Sequence, residues 1–196
     1  MGYKRKHHVL RAALVIVLIL VVACAAAGFE FYQQAEEVKT EANNVMAEIT
    51  TLKQEIKSGD TTGAAATAAS ISATAKSMKT TTEGTLWQIA SKLPYVGTDV
   101  QNARTLTDVL NNLSNDVLVP VADTINEAGG LNLSSATSLS EMSSELSASI
   151  KSAQSTIDSL PEGNISEVNN AVARARELIN STDLSSDLST DILSAL

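Results

Sequence analysis

Beyond its first 29 residues the chain has neither cysteine nor histidine: Cys24 is the only cysteine, and His7 and His8 are the only histidines. A Ser-His-Asp or Cys-His nucleophile needs an imidazole to take its proton, and zinc sites draw on His and Cys. Both chemistries, and disulfide staples, are excluded from residues 30–196. Aromatic residues are scarce as well, at 3%, while Ser and Thr supply 42 of 196 positions. A narrow core of Ala, Leu, Ile and Val follows, which suits an elongated helical bundle better than a compact enzyme. Positive charge is the third scarcity: past Phe29 there are 10 basic against 22 acidic residues, a net charge of −12. Such a surface does not seek nucleic acid or anionic lipid by charge.

Carboxylates are what remains for chemistry, and their spacing argues against it. Glu36, Glu37, Glu41, Glu48 and Glu55 scatter over the polar face of one helix, and Asp183, Asp187 and Asp191 recur every four residues on another. Both patterns read as solvated faces, and a straight helix cannot wrap a calcium ion. His7 and His8, beside Lys4, Arg5 and Lys6, read as part of a basic flank. The expectation is therefore a protein that is not an enzyme, with no catalytic, cofactor-binding or metal-binding residue.

The one long apolar run is Ala12 to Phe29, eighteen positions without a charge. Extended to Leu10 and Phe31, it reaches the roughly 20 helical residues that a hydrocarbon layer of about 30 Å requires. Four of the fourteen basic residues precede it, and every acidic residue follows it, from Glu30 onward. The positive-inside rule then keeps the N-terminus in the cytoplasm and places the rest outside, with membrane lipid as the partner of this helix. Phe29, Phe31 and Tyr32 bunch at the far end, where aromatic rings favour the headgroup layer. Two rival fates stay open: cleavage behind Ala25-Ala26-Ala27, and lipidation at Cys24, since Val21-Val22-Ala23-Cys24 resembles a lipobox. A Cys inside a membrane helix also packs as a plain small hydrophobe.

From Ala35 the apolar residues fall at Ala35, Val38, Ala42, Val45, Ile49, Leu52 and Ile56, a heptad seam. Ser58-Gly59 ends that helix. Ala64, Ala68, Ile71, Ala75 and Met78 repeat the spacing beyond the turn, so an antiparallel hairpin can bury both seams; homodimerisation, or an envelope partner on the Ala35 to Ile56 seam, is the alternative. A short helix carrying Trp87 stops near Pro94, and Gly97 lets the chain turn before Thr98 or Asp99 caps a new helix. Trp87, beside Leu86, Ile89 and Leu93, reads as a plug of the bundle more readily than as a ligand platform. A third long helix carries Val100, Ala103, Leu106, Leu110, Leu113 and Val117, with Pro120 kinking it before Gly129-Gly130. Asn132 to Ser135 starts a fourth, with Leu139, Met142, Leu146, Ile150, Ala153, Ile157 and Leu160 on one face; Val168, Ala171, Ala175 and Leu178 mark a fifth. A last stripe, Leu184, Leu188, Ile192 and Leu193, runs to Leu196 with no cap.

The fold class expected is all-α: an N-terminal transmembrane helix followed by an elongated antiparallel helical bundle. Its parts are a basic cytoplasmic tail (1–11), a signal anchor (12–29), a helical stalk with the heptad seam (30–58), a bundle (59–160) and short C-terminal helices (161–196), which look interrupted before a globular domain.

The stretch Trp87-Gln88-Ile89-Ala90-Ser91-Lys92-Leu93-Pro94-Tyr95-Val96-Gly97, with Val100, Ala103, Arg104 and Leu106 and then Val117-Leu118-Val119-Pro120-Val121, resembles the N-terminal region of domain-of-unknown-function family 4012 (DUF4012). The resemblance covers Trp87 to Val121. It implies a single-pass envelope protein of Gram-positive bacteria: basic tail, membrane helix, helical stalk, a signature carried by Trp87, Leu93, Pro94 and Gly97, then a larger extracytoplasmic domain. The function expected is a non-catalytic, membrane-anchored stalk or interaction module of a bacterial cell envelope. The alternatives are a ligand-sensing helical ectodomain, or the anchor region of an envelope enzyme whose catalytic domain lies beyond Leu196.

Overall fold

The computed structural model describes residues 4–181, with side chains described from 28 to 180. Every element there is helical: α1 (Lys4–Ser58), α2 (Thr61–Thr82), α3 (Thr85–Ala90), α4 (Gly97–Leu113), a π turn (Ser114–Leu118), α5 (Val119–Glu127), α6 (Leu133–Asp158) and α7 (Ser166–Ser181). The all-α expectation holds for these residues. The chain divides into two units, Met1–Glu37 and Val38–Leu196.

The first unit is the N-terminal part of α1. Among the described residues no helix is long and apolar enough to cross a membrane. The expected span 12–29 falls, up to residue 27, outside the described side chains, as do His7, His8 and Cys24. Where description begins, Phe29 and Tyr32 are exposed. The expected stripe of Leu184, Leu188 and Ile192, and Asp183, Asp187 and Asp191, lie outside the described residues too.

In the second unit the heptad seam finds its partner within the chain. Val38, Val45 and Leu52, one residue per heptad, are buried, and so are Ala64, Ala68, Ile71, Ala75 and Met78 of α2. Val45, Leu52, Ala64, Ala68, Ile71 and Ala122 form one apolar cluster. Ser70 Oγ donates to Glu48 Oε1 at 2.8 Å and Ser77 Oγ to Glu41 Oε1 at 3.1 Å, which fixes an antiparallel register. The seven-residue spacing recurs on both sides of that pairing, as knobs-into-holes packing requires. Three alanines with no exposed surface let the helices approach closely around Ile71, whose full burial is worth about 2–3 kcal/mol. At the far end Gly59 takes φ +79°, the Asp60 amide bonds Glu55 O at 2.9 Å, and Asp60 Oδ1 accepts from Gly63 N at 2.9 Å. One residue thus closes α1 and caps α2.

Helix α4 is the central one, packed against α2, α3, α6 and α7. Covered on several sides, it buries polar as well as apolar residues: Asp99, Val100, Asn102, Thr107 and Val109. The expected stripe of Ala103, Leu106, Leu110 and Leu113 is only partly buried. The polar residues are tolerated because each has partners. Thr82 and Thr107 hydroxyls meet at 2.8 Å, and each lies within reach of a carbonyl three residues back. One proton joins the pair while the other goes to a carbonyl. Pro120 does not act as a simple kink. Ahead of it the helix widens into the π turn, where the Val119 amide reaches Ser114 O, and α5 resumes with Pro in its first turn. Proline has no N–H to give at position 120, and a first turn is where that loss is harmless.

Asn132 caps α6 through Ser134 N and Ser135 N, with Ser135 Oγ returning to the Asn132 amide. Leu139, Leu146, Ala153 and Ile157 bury its face, and Val109, Ala153, Ile157 and Ile179 form a second cluster. In α7 the buried residues are Val172 and Ile179, one position on from the expected Ala171 and Leu178. Arg176 explains part of that rotation. Its guanidinium donates to the carbonyls of Ile157 and Leu160 at 3.1 and 2.8 Å, capping α6. Residues 166–181 therefore belong to the same bundle as α4 and α6.

The helices α1, α2, α4, α6 and α7 alternate in direction, and α5 continues α4 beyond the π turn. Thr61 Oγ1 donates to Asn126 Oδ1 at one end, and Asn102 Nδ2 to Pro161 O at the other. Val38, the segment after Thr82 and the Leu160 loop thus share the end at which the chain enters the bundle.

Candidate functional site

At that end the chain between α2 and α4 carries Trp87, Leu93, Pro94 and Gly97. Trp87 and Ala90 of α3 are 3% and 6% exposed and plug the bundle, as expected of the tryptophan. After Ala90 the helix tightens: Lys92 N bonds Ile89 O at 3.0 Å and Leu93 N bonds Ala90 O at 3.1 Å. Pro94 follows, and Tyr95 adopts φ 81°, a left-handed conformation uncommon outside glycine. Gly97 begins α4 so close to the preceding turn that a Cβ there would lie 2.7 Å from Ser91 O. Gln101 Nε2 donates to the same carbonyl at 2.8 Å.

A second loop, Leu160 to Ile165, is bound onto this one. Asp99, 1% exposed, accepts from Asn164 N through Oδ2 at 2.9 Å and from Ile165 N through Oδ1 at 3.0 Å. Those amides precede α7, so a carboxylate on α4 satisfies donors at the start of another helix. Asn164 Nδ2 donates to Tyr95 O at 2.6 Å, holding the left-handed residue from outside. Asn169 returns two bonds to Gly163, at 2.9 and 3.0 Å. Sequence reasoning missed this network. Its available signals were Asp99 in the first turn of a helix and the Pro161-Glu162-Gly163-Asn164 turn.

Ile89 and Leu93, read beside Trp87 in the sequence, do not share its burial. Ile89 is 57% exposed, Leu93 50% and Tyr95 83%, with Lys92 and Pro94 exposed between them. Trp87 and Gly97 are buried on the inner side of the turn, while Leu93 and Pro94 stand on its outer side. The result is an apolar and aromatic knob carrying one lysine.

Beside it lies a polar depression of about 240 Å3 lined by Thr82, Glu83, Gln101, Arg104, Thr105 and Asp108. Lys79 bridges its two carboxylates, pairing with Asp108 and, at 3.3 Å, with Glu83. The Asp108 hydrogen bond raises the Lys79 pKa above 10.5 against an opposing desolvation. With Arg104 the charges balance, so the depression favours neither anion nor cation. Among the described residues no group of three or more His, Cys, Asp or Glu could hold a metal ion.

Fold and end turn together define the class: an all-α antiparallel bundle displaying an apolar knob. The chain matches no family model, no curated protein and no solved structure.

Proposed function

We propose that the protein is a single-pass membrane protein whose bundle stands outside the cytoplasm as a non-catalytic stalk or interaction module of a bacterial cell envelope. The observation that carries this reading is the sequence of Ala12 to Phe29, uncharged, with a basic cluster before it and every acidic residue after it. Nothing else in the chain holds a comparable apolar run, so one span sets the topology. The bundle supports the module role through its construction. Its interior is closed by alanines, one buried hydroxyl pair and capped helix ends, which stiffen a spacer and provide no imidazole or thiol for catalysis. Kinship with domain-of-unknown-function family 4012, through Trp87 to Val121, belongs to the same proposal.

Intact mass and membrane fractionation in a Gram-positive host, with and without Cys24→Ala, test the anchor. A full-length mass in the membrane fraction, unchanged by the substitution, is expected. Loss of the residues before Cys24 with added acyl mass, abolished by Cys24→Ala, would replace the helical anchor by a lipid, and a soluble product would refute the reading.

A further inference from the structure

Among the described residues large hydrophobic side chains are exposed in two groups and two isolated places: Phe29 with Tyr32, Ile89 with Leu93 and Tyr95, and Met46 and Leu133 alone. The middle group is the most concentrated, three residues within seven positions on a turn that the rest of the bundle braces. Trp87 and Ala90, three positions apart, take the inward face of α3, which leaves Ile89 on its outer face. Beyond Pro94 the left-handed Tyr95, tied down by Asn164, keeps its ring outward at 83% exposure. The turn sits at the Val38 end of the second unit, as the antiparallel register requires. Only eight residues of chain, 30–37, separate Phe29 from Val38, a tether of at most about 30 Å however it is arranged.

We propose that Ile89, Leu93 and Tyr95 insert into the lipid headgroup layer of the bilayer in which the N-terminal segment is anchored. The inference rests on the anchor reading. The chemistry is that of an interfacial belt: an aliphatic pair enters the acyl boundary, the tyrosine ring sits among headgroups, and Lys92 extends its stem along the apolar surface with its charge in water. Charge is not the attraction, because the surrounding bundle is strongly acidic. The contact therefore persists on zwitterionic lipid and at high salt. Its consequence is a second attachment point, which holds the bundle to the bilayer by one end.

Full-length protein carrying Cys24→Ser and Leu93→Cys, labelled with an environment-sensitive fluorophore, is placed in phosphatidylcholine vesicles with and without nitroxide-bearing lipid. Thr62→Cys, exposed at the opposite end of the bundle, is the control, and Ile89→Cys repeats the measurement in case position 93 perturbs the turn. At positions 93 and 89 a blue-shifted emission and quenching by the lipid nitroxide are expected, with neither at position 62. Flotation of the protein with no more quenching at 93 and 89 than at 62 overturns the insertion and leaves the anchor intact. A label shielded from aqueous iodide yet untouched by lipid nitroxide assigns the turn to a protein contact and also overturns it. Failure to float removes the anchor and the inference together.

Discussion

Replacing Asp99 by Ala removes the one carboxylate that joins α4 to the loop ahead of α7. The side chain is 1% exposed and accepts two backbone amides, from Asn164 at 2.9 Å and Ile165 at 3.0 Å. A hydrogen bond to a charged group contributes about 1.5–3 kcal/mol, and an orphaned buried donor costs about 1–3 kcal/mol. The loop is partly exposed, so water can replace some of what is lost. Asp99→Ala is therefore expected to cost about 2–4 kcal/mol, a large share of the 5–15 kcal/mol typical of a domain. Asp99→Asn keeps one acceptor and turns an amide donor toward the other N–H, so roughly half that loss is expected. Gly163→Ala probes the same contact from the opposite side, because its Cβ would lie 1.9 Å from Asp99 Oδ1. Since both changes break one contact, Gly163→Ala must cost less in the Asp99→Ala background than alone. Urea unfolding of the full chain in detergent, followed by helical circular dichroism, gives the values. Hydrogen exchange should place the loss in α7. An Asp99→Ala protein within about 0.5 kcal/mol of the parent, or additive costs in the double variant, would refute the reasoning.

Overpacking the α1–α2 interface should be costly: Ala68→Leu, at a position with no exposed surface among Val45, Leu52 and Ile71, is expected to lose about 1–3 kcal/mol, whereas Ala66→Leu on the exposed face stays within about 0.5 kcal/mol. Trp87→Ala empties a nearly fully buried site and is expected to lose about 3–5 kcal/mol by urea unfolding, and in the parent the sole tryptophan should emit in the blue and resist iodide. Lys79→Met should cost at most about 0.5 kcal/mol, since its partners are half exposed. The Lys79 pKa is raised by Asp108 foremost, so that contribution is complete below the ordinary lysine value of 10.5 and disappears as pH rises through the elevated one. The difference between Lys79→Met and parent should be flat from neutral pH up to 10.5, shrink from there, and be gone above the elevated value.

The hairpin of α1 and α2 was legible because a seven-residue apolar repeat on both helices, joined by a short turn, lets the two seams face each other. Trp87 as a plug was legible from its size. Helix α4 was not, because a sequence pattern equates burial with apolarity, and Asp99, Asn102 and Thr107 are buried by virtue of partners 25 to 66 residues away. Ile89 and Leu93 misled in the opposite sense: Ile89, two positions on from Trp87, falls on the opposite face of α3, and Leu93 lies past the end of that helix, where the chain tightens and turns outward. In α7 the phase slipped by one residue because Arg176 is spent on the carbonyls of α6, and nothing in an apolar count registers a capping guanidinium. The candidate site was legible as a turn and illegible as a surface.

The central claim is an anchor that places the bundle outside the cytoplasm, and cysteine labelling in intact cells tests it most directly. In a Cys24→Ser background, Ser58→Cys and His8→Cys are treated with a membrane-impermeant maleimide before and after lysis. The account predicts that position 58 reacts in intact cells and position 8 only after lysis. Labelling of position 8 in intact cells, or of neither position until lysis, would contradict it.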